Sequence, residues 1–459
     1  METQERSKML GTMEMGKLVP KVSIPIMISM LVQALYNVVD GIFVAKYSAA
    51  ALTAVSLAYP IQMLMIAVST GLGVGFNSLI SRKLGEKRAE EARDAAKNGM
   101  FTELCGYALF LVFGLLFAKP FFNLFTDDLE LQALGGEYLS IVCIFSFGLF
   151  FGICFERMMQ ATGNTVLSMV TQLTGAVINI ILDPIFIFTL NMGVTGAAVA
   201  TIIGQFCGCA LAIYFNHKKN TDITLSIKGF RPDFRLIGEI YAIGLPSVIM
   251  IAIGSVMTFL MNKILITYHA AHETAATAFG AYFKLNSFIF MPVFGMNNGV
   301  VPIVAYNYGA RNRKRMVETI KRGALYASII MVFGTVLFWV IPGPLLKIFD
   351  ATDTMLSVGI PALRIISISF CMAGACIALG ASFQALGRSL YSMITSIVRQ
   401  LVFLIPIAYV LARYGASVGN SDLVWWSYPI AEVFSLTLTL FFFRHLYKTV
   451  IAQLPEGRE

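Results

Sequence analysis

Runs of twenty or more mostly apolar residues recur twelve times along this chain, and only short segments separate them. A bilayer core is about 30 Å thick, so a helix needs about 20 apolar residues to cross it. That rule predicts spans at 20–45, 52–80, 99–118, 134–158, 165–189, 193–215, 237–267, 277–306, 323–346, 358–383, 391–412 and 424–446. Several exceed the minimum, as tilted or broken helices do. With 57% hydrophobic and 13% charged residues, a soluble domain of 459 residues would lack polar surface. The pattern predicts an all-α integral membrane protein. The opening METQERSKMLGTMEMGKLVPK is polar, and the apolar run behind it is too long for a signal peptide. That run reads as a retained first span.

Charge sets the direction of the spans. With the N-terminus in the cytoplasm, the inner segments include RKLGEKRAEEARDAAK (82–97), HKKNTDITLSIKGFRPDFR (217–235) and ARNRKRMVETIKR (310–322). Of the 34 Lys and Arg, 26 then fall inside, and Lys46, Lys119, Lys347, Arg364 and Arg413 near the outer side. Both termini, 1–19 and 447–459, are expected in the cytoplasm. The net charge of +8 therefore reflects topology and contact with inner-leaflet lipids. No basic patch is interleaved with exposed aromatics, so nucleic acid is not an expected partner.

The two halves repeat each other. A shift of 224 residues carries Gly71, Gly75, Gly85 and Gly99 onto Gly295, Gly299, Gly309 and Gly323. It also carries QATG (160–163) onto QALG (384–387), and Ser168, Met169 and Thr171 onto Ser392, Met393 and Thr395. Each repeat holds six spans, an even number, so both halves cross in the same sense. The expected architecture is two six-helix lobes, 20–215 and 237–446, around a pseudo-twofold axis along the membrane normal. The polar, basic segment 216–236 links them. Parallel repeats facing a cavity are a transporter design, with one lobe rocking against the other.

Charges inside the bilayer are costly and mark function by default. The candidates are Asp40, Asp183, Lys263, Lys284, Arg399 and Glu432, with Glu156 and Arg157 near the inner end of span 4. Counting about 1.5 Å per residue places Asp40, Asp183 and Thr201 in the outer half of the N-terminal lobe. Asn179 is one turn below Asp183, Gln33 and Tyr36 share a face with Asp40, and Gln205 is one turn from Thr201. Spans 1, 5 and 6 can thus assemble a cation-binding cluster of Asp40, Asn179, Asp183 and Thr201. Its hard oxygens suit Na⁺, or the two acids can share a proton. Pro184 removes a backbone donor beside the cluster. The opposing reading pairs Asp40 and Asp183 with helix ends or other buried polar groups. Gln33, Tyr36, Glu156 and Gln205 are candidates to line a substrate cavity, as is Met291 among the adaptable methionines. Lys263, Lys284, Arg399 and Glu432 either pair for packing or line the cavity, and depth counting does not bring Arg399 level with Glu432.

Other chemistry finds little support. Seven cysteines lie in apolar segments without a CxxC pair and read as small buried hydrophobes. His269 and His272 lack further ligands nearby. GLGVGF (71–76) is in an apolar span with no strand before it, so its glycines more readily serve close helix packing than nucleotide binding. DDxxD, HExxH, GxSxG and GxxxxGK[ST] motifs are absent, which argues against a membrane-embedded enzyme or an ATP-driven pump. No cofactor is expected.

Several longer stretches point to one family. These are PIMISMLVQALYNVVDGIFVA in span 1, ISRKLGEK after span 2, QATGN after span 4, INIILDPIFIF in span 5 and the repeated QALGRS. Together they resemble the MATE (multidrug and toxic compound extrusion) family, most closely its MepA-like bacterial branch, over nearly the whole chain. The resemblance implies a V-shaped twelve-helix monomer in a bacterial inner membrane. Such a protein would export cationic, amphiphilic drugs in exchange for H⁺ or Na⁺. It also implies a cation site at Asp40, Asn179, Asp183 and Thr201. NorM-like members carry an acid early in span 7, but LPSVIMIAIGSVMTFLMN (245–262) has none, which puts a second cation site in doubt. The alternative is a flippase for lipid-linked precursors from a related superfamily. It would need a strongly basic cavity, for which only Lys263, Lys284 and Arg399 are available.

Overall fold

The computed structural model describes residues 6–223, 230–349 and 351–456. The middle of the expected linker and the outermost residues of both expected tails lie outside this range. The chain folds as twelve membrane-length helical crossings, and no strand occurs among the described residues. The first half comprises Met15–Tyr47, Ala49–Gly85, Ala89–Leu116, the bent pair Leu129–Ile144 and Phe147–Ala161, Thr165–Thr189, and Gly193–Lys219. The second comprises Phe234–Tyr268, His272–Gly309, Arg313–Val340, the bent pair Asp353–Ser367 and Phe370–Ala385, Ser389–Val418, and a last crossing whose α-helix is Ser427–Thr449. These are spans 1 to 12 below.

Most helices overrun the apolar windows, because hydropathy marks the bilayer core while Lys, Arg and Glu prolong a helix into water readily. Span 9 begins at Arg313, inside the segment expected as a loop, and ends at Val340. Pro342 then opens a separate short helix, Pro342–Lys347, where the apolar run had suggested continuity.

The repeat is visible in local conformation as well as in sequence. Spans 4 and 10 bend by 42° and 48° at equivalent breaks. At each break a serine bonds back to its own helix: Ser146 Oγ to Cys143 O at 2.8 Å, Ser369 Oγ to Ile366 O at 2.6 Å. Spans 5 and 11 each contain a π-helical stretch, Ile185–Thr189 and Val398–Leu404, but these are out of register, since the shift of 224 carries Ile185 onto Tyr409. Lys87 and its mate Arg311 both take left-handed φ, 61° and 54°, in matching turns. So do Gly163 and Gly387 of the QATG and QALG motifs, at 80° and 72°.

Around the axis the halves meet at the end of the bundle that carries the basic loops. Gly85 lies against the Tyr306 carbonyl, and its mate Gly309 lies against the Arg82 carbonyl. A side chain at either position would collide with main chain, so glycine is required by the approach rather than by φ. Higher up, a Cβ on Gly71 would meet Val248 N at 2.8 Å, and one on Gly295 would meet Met27 Cα at 2.7 Å. Spans 2 and 7 and spans 8 and 1 thus form two matching seams. Ser78 Oγ donates to Gln384 O and Ala385 O, both at 3.1 Å, and Arg82 pairs with Glu239 at 2.8 Å.

Spans 1 and 7 exchange their ends across this seam. Met15, Leu18, Val19 and Val22 of span 1 belong to the second half's hydrophobic core, while Val44 belongs to the first half's. Ile240 of span 7 packs reciprocally in the first half's core. Before span 1, the helix Arg6–Thr12 is anchored on the second half. Asn307 Nδ2 and Arg315 Nη2 both donate to Leu10 O, and Arg315 Nη2 also donates to Met13 O at 2.7 Å.

Candidate functional site

The first half holds a buried polar cluster built from spans 1, 2, 4, 5 and 6. Span 5 supplies Asn179 and Asp183, 3% and 0% exposed, one turn apart on the face turned away from lipid. Asp40 of span 1 brings its carboxylate within hydrogen-bonding reach of Asp183. Asn179 Nδ2 donates to Thr201 Oγ1 of span 6 at 3.2 Å. The Tyr36 hydroxyl reaches the same threonine. Directly after Asp183, Pro184 leads into the π-helical stretch, where Leu190 N bonds to Ile185 O at 2.8 Å. A π-bulge beside a buried acid is a recurrent functional device.

The acceptors in this cluster outnumber its donors. Asp40 Oδ1, Asn179 Oδ1 and both oxygens of Asp183 are buried, with no donor among the described residues. Buried acceptors almost always have partners, and an unmet one costs about 1–3 kcal/mol. Two facing carboxylates, with no Lys or Arg paired to either among the described residues, favour a positive charge or a shared proton between them. The donor set of carboxylate, amide and hydroxyl oxygens fits a small hard cation or a shared proton.

The other candidates spread out from this cluster. Gln33 and Gln205 are partly buried, and Gln205 packs against Gly148 of span 4. Glu156 is buried but lies toward the basic end. It accepts from Thr171 Oγ1 at 3.1 Å and Gln172 Nε2 at 2.6 Å, some two turns of span 5, about 12 Å, below Asn179. Met291 is partly buried on span 8 in the other half, away from the cluster. The rings of His269 and His272 bond locally to the main chain, Nδ1 of His269 accepting from Ala271 N at 3.1 Å.

Three features escaped the reading of the residues alone. Tyr138 of span 4 and Gln62 of span 2 complete the cluster, with Gln62 Nε2 donating to Tyr138 OH at 2.9 Å. Gln62 was detectable as an amide in an apolar run. Glu103 of span 3 is fully buried, close to Ser69 and Arg157, with neither oxygen hydrogen-bonded among the described residues. It belonged among the intramembrane charges and sat too near the span's start to be counted. In the second half, Arg399 and Glu432 are in contact at 3.6 Å, contrary to the depth count. Helix tilt and a long arginine side chain close a gap that counting along axes leaves open. Lys263 is exposed, and Lys284 stacks its ammonium over Phe349 at 5.7 Å.

Known proteins share this fold. The chain is 28% identical to the multidrug export protein MepA of Staphylococcus haemolyticus over 423 residues, 91% of each chain. It is 26% identical to MepA of Staphylococcus aureus strain MRSA252 over 443 residues, 95% of each. Its fold superposes with a TM-score of 0.93 on an outward-facing multidrug resistance MATE family transporter of the MOP superfamily. That match is at 25% identity and covers 99% of this chain and 100% of the other. The MatE family model matches residues 25–185 and again 246–410, one copy per half. With both repeats matched and the fold shared end to end, this chain belongs to the MatE family of membrane transporters.

Proposed function

We propose that this protein is a secondary multidrug exporter that exchanges amphiphilic, mostly cationic compounds for H⁺ or Na⁺ by alternating access. The observation that carries the reading is the cluster of four donor-less buried oxygens on Asp40, Asn179 and Asp183. A cation entering from the outer side binds Asp40 and Asp183, with Asn179 and Thr201 completing the shell. Its charge replaces that of the departing drug. Gln33, Tyr36, Glu156, Gln205 and Met291 border the drug's route. The lobes 20–215 and 237–446 rock about the glycine seam, with 216–236 linking them and both termini in the cytoplasm. Coupling requires that drug and cation prefer the outward state in opposite degrees. Span 1 suits the transmission, because it carries Asp40 at one end and is packed in the opposite half at the other.

Ethidium flux in proteoliposomes, with pH and Na⁺ gradients imposed separately, tests this. One of the two gradients should drive flux, and Asp183→Asn should reduce it to the leak of empty vesicles. Flux in Asp183→Asn equal to that of the parent protein would remove the cluster from the mechanism.

A further inference from the structure

The helix Arg6–Thr12 lies at the basic end of the bundle, and both halves hold it. Chain ends are poorly ordered unless something ties them down. Here the second half supplies the firmer tie. Leu10 is fully buried in that half's core. Its carbonyl accepts from Asn307 Nδ2 at 2.9 Å and from Arg315 Nη2 at 3.3 Å. Arg315 Nε also donates to Asn307 Oδ1 at 3.2 Å, so the two donors fix each other. A Cβ on Gly11 would meet the Tyr306 ring at 2.7 Å, and the carbonyl of that same tyrosine abuts Gly85 of the first half. The helix therefore rests on a residue of the glycine seam.

The first half holds the other side. Asp222 Oδ2 accepts from Ser7 N at 3.2 Å, and the Ser7 hydroxyl reaches the same carboxylate. Asp222 follows span 6 directly, and its neighbour Ile223 is buried in the first half's core. The end of span 6 is tied down there as well. Asn216 Nδ2 donates to Phe155 O of span 4 at 2.9 Å, and Asn220 Nδ2 donates to Asn216 Oδ1 at 3.0 Å. The halves cannot part at this end while both attachments persist. The two are unequal: a buried leucine and two cross-bonded donors face the second half, and one half-buried carboxylate faces the first. Opening breaks the weaker side, so the helix stays with the second half.

We infer that Arg6–Thr12 is a latch on the basic end, with Leu10 as its anchor in the second half and Asp222 as its catch in the first. The inference rests on the alternating-access reading and adds the element that sets how often this end opens. Hydrogen exchange of the full-length protein in lipid nanodiscs, read by mass spectrometry, tests it. Asp222→Ala should speed exchange of the seam segments 82–89 and 306–313 about threefold to tenfold, as loss of a hydrogen bond does. Asp222→Asn, which keeps an acceptor oxygen, should restore most of the protection. Removal of residues 2–12 should open the seam at least as much as Asp222→Ala. Seam exchange equal to the parent's in Asp222→Ala overturns the proposal. So does a rise shared equally by segment 118–130 at the opposite end, which marks general loosening. Failure of parent ethidium flux under either gradient would instead remove the exporter reading, and the exchange difference at the seam would still decide the latch.

Discussion

The two halves of this molecule share a duplicated backbone but hold their buried charges at different levels, because the shift of 224 carries Arg399 and Glu432 back onto Gly175 and Gly208 rather than onto Asp183 and Thr201. In the first half, Asp40 and Asp183 face each other, and Asp40 Oδ1 and both Asp183 oxygens are unmet among the described residues. In the second, the single acid Glu432 has a tethered cation, Arg399, 3.6 Å away. Each half has a bent fourth span and a π-helical stretch in its fifth, directly after Pro184 in the first half and around Arg399 in the second. The bend of the fourth span was duplicated, whereas the π-helical stretches and the charges diverged, since the shift of 224 carries Ile185 onto Tyr409, beyond Val398–Leu404. A cluster that lacks a counter-charge is suited to a mobile cation that comes and goes. One that supplies its own is neutral at rest.

The largest expected effect tests the first half's cluster. Asp40→Asn halves the negative charge and should reduce gradient-driven ethidium flux at least about tenfold, while size-exclusion chromatography still shows a folded monodisperse protein. Retained flux would make the two sets of buried charge equivalent. Next comes the seam. Gly85→Val and Gly309→Val should each prevent the basic ends from closing, because their β-carbons meet the carbonyls of Arg82 or Tyr306 in the opposite half. Spin-label distances across that end should widen in both variants. Gly238→Ala, with nothing within 4 Å of the new carbon, should leave them unchanged. Unequal responses of Gly85 and Gly309 would break the symmetry argued for the halves.

Smaller effects sharpen the picture. Thr201→Val deletes the acceptor of the Asn179 amide at 3.2 Å and should lower the melting temperature by an amount equivalent to about 1–3 kcal/mol. It should also weaken the response of flux to the driving cation. Glu239→Gln removes the partly exposed pair with Arg82, and a thermal shift worth at most about 1 kcal/mol is expected. A larger shift would mean that this ion pair, rather than the glycine contacts, holds the basic end shut.

Much of this was legible in the chain. The twelve crossings follow from apolar run length, since a bilayer leaves a backbone few options besides a helix. The constant shift of 224 located bends, turns and seam glycines in pairs, because a duplicated backbone keeps its special conformations where its glycines and serines recur. The closeness of Asp40, Asn179, Asp183 and Thr201 followed from depth and helical face. Run length failed where proline divides an apolar stretch, as at Pro342, and where a charge lies near a span's start, as at Glu103. Depth counting failed for Arg399 and Glu432, because side-chain reach and tilt are not encoded in residue spacing.

By itself, the sequence determined the number of crossings, their pairing into two like halves and the rarity of charge inside the membrane. All three depend on composition and period, which act locally along the chain. The tertiary structure alone decided that span 1 has one end in each half, that Arg399 meets Glu432, and that Tyr138 and Gln62 join the acidic cluster. These contacts join residues far apart in the chain, and only the packing of helices against one another brings them together.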